Sequence, residues 1–191
     1  MWKNIPDIMN ILLSLILISL ASCASPDTYY DPNMDFAAVK TVAVMPFANL
    51  TNDKQAGERV RDVFTNILLS TGEIYALPPG EVARGFLRAG IADPTAPSAE
   101  EIVKLAGITR VDAVFTGVLR EYGEIRSGTA SGNIISLSLQ MIEAQTGKVV
   151  WTASSTKGGI RMRDRLFGTG GKPMNDVTEE AVNDILKKLF Q

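Results

Sequence analysis

Residues 111–119, VDAVFTGVL, are apolar at almost every position. A strand with one wet face alternates polar with apolar residues. An apolar run of this length, rich in β-branched and aromatic side chains, reads instead as a strand buried on both faces. It commits the chain to a sheet with other layers packed on it.

The flanking sequence supplies the rest of that sheet. Residues 40–47, KTVAVMPF, form a short β-branched strand ending near Pro46, and EIYALP (73–78) forms a brief second one. Ile135, Leu137, Leu139 and Met141 alternate with Ser136, Ser138 and Gln140, the mark of a strand with one polar face. The turn EAQTGK then returns the chain into VVWTASS, so residues 133–155 read as a hairpin. Trp151 is expected to anchor that hairpin from inside, on one face with Val149 and Ala153. The stretch 122–132, rich in Gly and Ser, reads as a flexible connection.

Helices fall between these strands. From about residue 54 to 70, Val60, Val63, Phe64, Ile67 and Leu68 line one stripe, with Gly72 closing the helix and Asn52 with Gln55 as a capping box. Residues 79–89 form a short helix with Val82, Phe86 and Leu87 inward. Ser98 with Glu101 caps another, ended by Gly107. Asn175 or Asp176 caps a last amphipathic helix carrying Val182, Ile185, Leu186 and Leu189. The order β-α-β-α-α-β-β-β-α is an α/β (α+β) fold: a mixed sheet of about five strands with amphipathic helices packed mainly on one face.

The N-terminus has another character. Residues 8–21, IMNILLSLILISLA, are nearly all apolar and follow a short segment carrying Lys3. Fourteen helical residues span about 21 Å, less than the ~30 Å of a hydrocarbon core. The run therefore reads as a secretory signal peptide. Leu20-Ala21-Ser22-Cys23 follows, and Cys23 is the one cysteine of the chain. These four residues resemble the bacterial lipobox. The resemblance implies that the Cys23 thiol takes a diacylglycerol and that the leader is cut before it. Several acyl chains then anchor the protein to a membrane stably. Ala24, where inner-membrane lipoproteins often carry Asp, resembles an outer-membrane address. The expected organisation is a signal peptide over 1–22, a lipidated tether over 23–39 and an α/β domain over 40–191. Tyr29, Tyr30 and Phe36 in the tether are expected to pack back on the domain or to meet a partner.

Chemistry is hard to place on this chain. It has no histidine, which removes the commonest general acid–base group and the commonest zinc ligand. A lone cysteine makes neither an internal disulfide nor a thiolate cluster. The net charge of −2 gives no electrostatic case for nucleic acid. GTGGKP (168–173) fails as a phosphate loop, because Leu166 and Pro173 stand where Gly and Ser or Thr belong. Glu121 and Glu124 read as a solvated rim before a carboxylate pair, and Asp112 as a turn former. No catalytic residue, metal site or cofactor is expected, and the function is expected to be binding or assembly. One candidate surface is the loop 156–173, where Arg161, Arg163 and Arg165 alternate with Met162 and Asp164. If extended, it aims three guanidinium groups one way, toward an acidic protein face, lipid phosphate or glycan. Otherwise these arginines are simply solvated. The second candidate is the stretch 121–132.

Four segments, TVAVMPFANLTND, GERVRDVFTNILLSTG, VDAVFTGVLREYG and SLQMIEAQTGKVVWTASS, together resemble the CsgG-like and TolB N-terminal-like group of envelope proteins. The resemblance covers about residues 40 to 190. It implies a periplasm-facing domain on an outer-membrane lipid anchor, acting as a non-enzymatic accessory of envelope assembly or secretion by docking to a protein partner. It also raises homo-oligomerisation. CsgG-like members add long membrane-spanning hairpins to make a pore, and the connection at 122–132 reads as too short for one. Related readings are a lipoprotein activator of a peptidoglycan synthase and a small-ligand or glycan-binding module.

Overall fold

A computed structural model describes residues 27–160 and 171–190. Seven strands form one mixed sheet: β1 (Thr28–Tyr30), β2 (Thr41–Val44), β3 (Ala48–Asn49), β4 (Tyr75–Ala76), β5 (Ala113–Ser127), β6 (Ala130–Glu143) and β7 (Val149–Gly158). Their spatial order is β1-β7-β6-β5-β2-β4, with β3 also paired to β5. β2 runs parallel to β4 and β5, whereas β5, β6, β7 and β1 are successively antiparallel. Among the described residues four α-helices accompany the sheet, α1 (Ala56–Ser70), α2 (Pro79–Ala89), α3 (Ala99–Thr109) and α4 (Met174–Leu189), with a short 3-10 turn at Phe36–Ala38.

The α/β class and the mixed sheet expected from the sequence stand. Two details differ. The sheet has seven strands and not about five, because β1 and β3 are too short to carry a side-chain period. Backbone bonds to a longer neighbour recruit them. The helices also divide between the two faces. α1 carries the chain from β2 outward to β4, and α2 with α3 carries it back past β2 to β5. Crossovers between parallel strands share one hand, so crossovers in opposite directions lie on opposite faces.

Each face therefore has its own core. On one, α1 and α4 cover Val42, Val44, Phe115, Leu137, Leu139, Met141 and Trp151 with Val60, Phe64, Leu68, Val182 and Ile185. On the other, α2 and α3 cover Ala43, Met45, Val114 and Ile142 with Val82, Ile102 and Leu105. β5 is thus buried on both faces over its first half, as its nearly continuous apolar run requires. Gly117 interrupts that run for a steric reason. A Cβ there would lie 2.5 Å from Leu139 Cδ2 and 2.8 Å from Phe47 Cδ1.

Local signals fared unevenly. The Ser98–Glu101 capping box forms, with both reciprocal bonds in place. The Asn52–Gln55 box does not: α1 has no side-chain cap, and the Asp53 carboxylate instead accepts from the Gln55 amide at 3.0 Å. Neither Asn175 nor Asp176 caps α4, which starts directly after Pro173. α3 runs through Gly107 and stops at Arg110, a non-glycine residue at φ 57°. Asp112, expected to form a turn, instead makes a long-range clamp. Its carboxylate accepts from the amides of Lys40 and Thr41 at 2.9 and 2.8 Å, stitching the start of β2 to the start of β5.

Candidate docking surface

β5 has neighbours on both sides only as far as Leu119. There β3 ends, with Asn49 opposite Leu119 and the Leu50 amide bonded to the Leu119 carbonyl at 2.9 Å. From Arg120 to Ser127 it pairs with β6 alone. On the far side of β6, pairing with β7 begins only at Ile134 and Gly158. The outer half of the β5–β6 hairpin is thus a two-stranded arm, turned at Gly128 and Thr129, whose β5 edge has no strand beside it among the described residues. A register slip after Leu119 and Gly123 at φ +151° make this edge irregular, which discourages indiscriminate strand pairing.

The arm is braced at its root. The Arg59 guanidinium of α1 lies 5.9 Å from the centre of the Tyr122 ring. Asn133 Nδ2 donates to the Lys172 carbonyl at 2.8 Å. Farther out, Arg126 donates to Glu124 through Nε and Nη2 at 3.1 and 2.8 Å. Glu121 and Glu124 are three residues apart on a strand and point to opposite faces, so they are no acid–base dyad.

A second feature lies beside the arm. The polar face of β6 and β7 is left open where α2 and α3 stop. Ser138, Gln140, Thr152 and Ser154 floor a cleft of about 460 Å³, with Tyr29 at one wall and Arg120 at the other. The buried Ser138 hydroxyl has no hydrogen-bond partner among the described residues.

An ionic cluster ties β1 to α4 on the opposite face. Lys188 Nζ is bonded to the Asp27 carboxylate, donates to the Ser154 carbonyl at 2.8 Å and lies 3.2 Å from Asp184. Lys157 Nζ is 2.8 Å from the other Asp184 oxygen. Burial pushes the Asp184 carboxyl up, but hydrogen bonds from Lys157 and Lys188 outweigh it and hold the group down at about 2. Its bond to Lys188 likewise lowers Asp27. Both groups are depressed in the folded state, so the stability they contribute is present above about pH 4 and is lost as pH falls toward 2. Over that window the urea midpoint of the wild type is expected to fall more steeply than that of Asp184→Asn. Parallel curves for the two proteins would contradict the assignment.

The sequence-derived candidates fare as follows. Cys23, Arg161, Arg163 and Arg165 lie outside the described residues. The stretch 122–132, expected to be a flexible connection, is instead a paired two-stranded arm, because cross-strand pairing continues to its tip despite its Gly and Ser content. Length therefore no longer argues against a spanning hairpin. Composition does: one side of the arm carries Tyr122, Glu124 and Arg126 opposite Ile135, Asn133 and Ser131, and the other carries Glu121, Gly123 and Ile125 opposite Ser136, Ile134 and Gly132. Neither is the apolar band that a lipid-facing strand needs. Among the described residues no helix is long and apolar enough to cross a membrane, and no group of His, Cys, Asp or Glu could hold a metal ion. Phe36 packs back on the core and Tyr30 meets its ring edge to face at 5.8 Å while staying exposed; Tyr29 lies at the cleft. Sequence reasoning missed Asn49, whose side chain organises the turn after β3 by accepting from the Thr51 amide and hydroxyl and donating to the Asp53 carbonyl. Asn-x-Thr ahead of a helix is the turn signal that could have revealed it.

A seven-stranded mixed sheet, helices on both faces, a projecting hairpin and an open polar sheet surface define a small mixed α/β domain. The chain belongs to the GNA1162-like lipoprotein family, which it matches over residues 33–189. Among solved structures, lipoprotein GNA1162 from Neisseria meningitidis is similar at 21% identity, with 78% of this chain and 99% of that one covered and a TM-score of 0.55. The PelC dodecamer from Paraburkholderia phytofirmans is similar at 17% identity, with 85% and 94% covered and a TM-score of 0.56. CT253 from Chlamydia trachomatis follows at 14% identity, with 80% and 96% covered and a TM-score of 0.52. At these identities the solved structures establish the fold alone. No protein of curated function matches the chain. The lipoprotein family and the fold agree with the reading of the sequence, while the CsgG-like and TolB-like naming is not supported.

Proposed function

We propose that this protein is a non-enzymatic envelope lipoprotein, anchored to the outer membrane through Cys23 and facing the periplasm, that works by assembling with further copies of itself through the β5–β6 arm. The observation that carries this is the arm: eight residues of β5, Arg120 to Ser127, leave one edge unpaired among the described residues, on a hairpin braced against α1 and the segment before α4. A strand edge with exposed Ile125 beside charged residues offers both backbone bonds and a register-setting pattern to a neighbour. Support comes from PelC, a protein of the same fold that forms a dodecamer.

The test is the mass of the detergent-solubilised lipoprotein by light scattering, read beside its melting temperature. The wild type is expected to be a multimer. Replacing residues 123–134 by Asn-Gly, which closes the hairpin early, is expected to give a monomer with nearly unchanged melting. Ile125→Asp, which alters one exposed side chain, is expected to weaken assembly. A monomeric wild type, or a shortened arm that assembles as before, would overturn the proposal. Crosslinks from the arm to a different envelope protein would replace the second copy as its occupant.

A further inference from the structure

The described fold begins four residues after Cys23. The Asp27 carbonyl already accepts from the Ser154 amide at 3.1 Å, and β1 follows at once. Four residues of extended chain span at most about 14 Å. A sixteen-residue tether would have let the domain stand off by about 50 Å. With β1 docked on β7 it has no such freedom, and the surface around β1 must lie at the membrane that holds the acyl chains.

That surface has a composition suited to the position. β1 is an outermost strand of the sheet, so its outer backbone edge faces away from the protein. Tyr29 and Tyr30 point to opposite sides of this edge and are 47% and 40% exposed, although both are large and partly apolar. Tyrosine, with an apolar ring and a polar tip, favours the boundary between headgroups and acyl chains. Of the charges nearby, Asp27 is paired with Lys188, while Asp31 accepts from the amide and side chain of Asn33 and keeps its charge. No residue of β1 belongs to the buried core, so covering the strand disturbs no packing.

We propose that the β1 edge, with Tyr29 on one side and Tyr30 on the other, is a seat against the lipid headgroup layer. It holds the sheet edge-on to the membrane and keeps the arm and the open polar face in a set orientation. The proposal rests on the lipidation of Cys23. β1 itself, Thr28–Tyr30, carries no charged side chain to bind an anionic headgroup, so zwitterionic lipid suffices for the seat.

The chain from Cys23 onward contains every described element and both cores. Coupled through its single thiol to a maleimide lipid in phosphatidylcholine vesicles, at fewer than one chain per vesicle, it can be footprinted by hydroxyl radicals. Tyr75, 54% exposed on the opposite sheet edge, is the internal control. Coupling is expected to lower the oxidation of Tyr29 and Tyr30 several-fold relative to Tyr75, equally at low and high salt. An unchanged ratio would overturn the seat. So would protection that arises in the uncoupled chain as its concentration rises, since a second copy would then cover the edge. Chemical coupling supplies the tether whatever the cell does to Cys23, so intact-mass analysis of the native protein tests the anchor separately.

Discussion

Replacing Cys23 with serine is expected to abolish membrane attachment altogether. The leader before it is too short to span a bilayer, and among the described residues no helix is long and apolar enough to do so. Under the proposed anchor, attachment rests on acyl chains at the Cys23 sulfur and the new amino group, and two or three such chains hold a protein stably where one does not. The variant is expected either to keep its leader uncut or to be released in soluble form. Fractionation with intact-mass analysis reads both results, and the wild type is expected to show the mass of a chain starting at Cys23 plus its acyl groups. A mature protein with an unmodified thiol would refute the anchor and the outer-membrane location together. The domain itself should fold in either case, because the described residues of both cores all lie at or beyond Met34 and the chain has no second cysteine to pair with Cys23.

Trp151→Ala is expected to be among the most destabilising single changes in the domain, at about 3–5 kcal/mol. Trp151 is fully buried and stands edge-on to Phe115, with ring centres 6.2 Å apart. Phe115 in turn meets Phe64 at 5.2 Å, so one aromatic chain links β7, β5 and α1. Truncation leaves a cavity where this chain meets α4, and partial collapse recovers little of the loss. The indole Nε1 has no hydrogen-bond partner among the described residues. Trp151→Phe should therefore cost much less than Trp151→Ala, since it keeps a ring and removes an unsatisfied donor. Urea unfolding of both variants checks this, with the slope unchanged and only the midpoint moved. An unmoved midpoint for Trp151→Ala would show that the core does not depend on the ring.

The same residue shows where a period-two reading breaks down. Trp151 and Ala153 share the inward face as expected, but Val149 does not join them. A register shift beside Ile142 places Val150 inward next to Trp151 and leaves Val149 exposed. A bulge adds one residue to one strand and is decided by how the two strands meet, so the side-chain pattern of either alone does not reveal it.

Taken by itself, the sequence determined the layers and the long elements of this protein. The nearly continuous apolar run at 111–119 required burial on both faces, the Ser136–Gln140 alternation marked the polar sheet face, and Ser98 with Glu101 marked the start of α3. Each of these signals is local, because it depends on side-chain period or on a bond within four residues. The sequence also offers Cys23 as a candidate anchor, since a lipobox is read as a linear motif and requires no fold. Only the tertiary structure decided the rest. It divided the helices between two faces, because crossovers of one hand ran in opposite directions along the sheet. It drew β1 out of the expected tether and turned Gly- and Ser-rich residues into a paired two-stranded arm. In both places the ordering comes from backbone hydrogen bonds to strands distant in sequence, and such bonds are blind to the side chains by which a sequence is read.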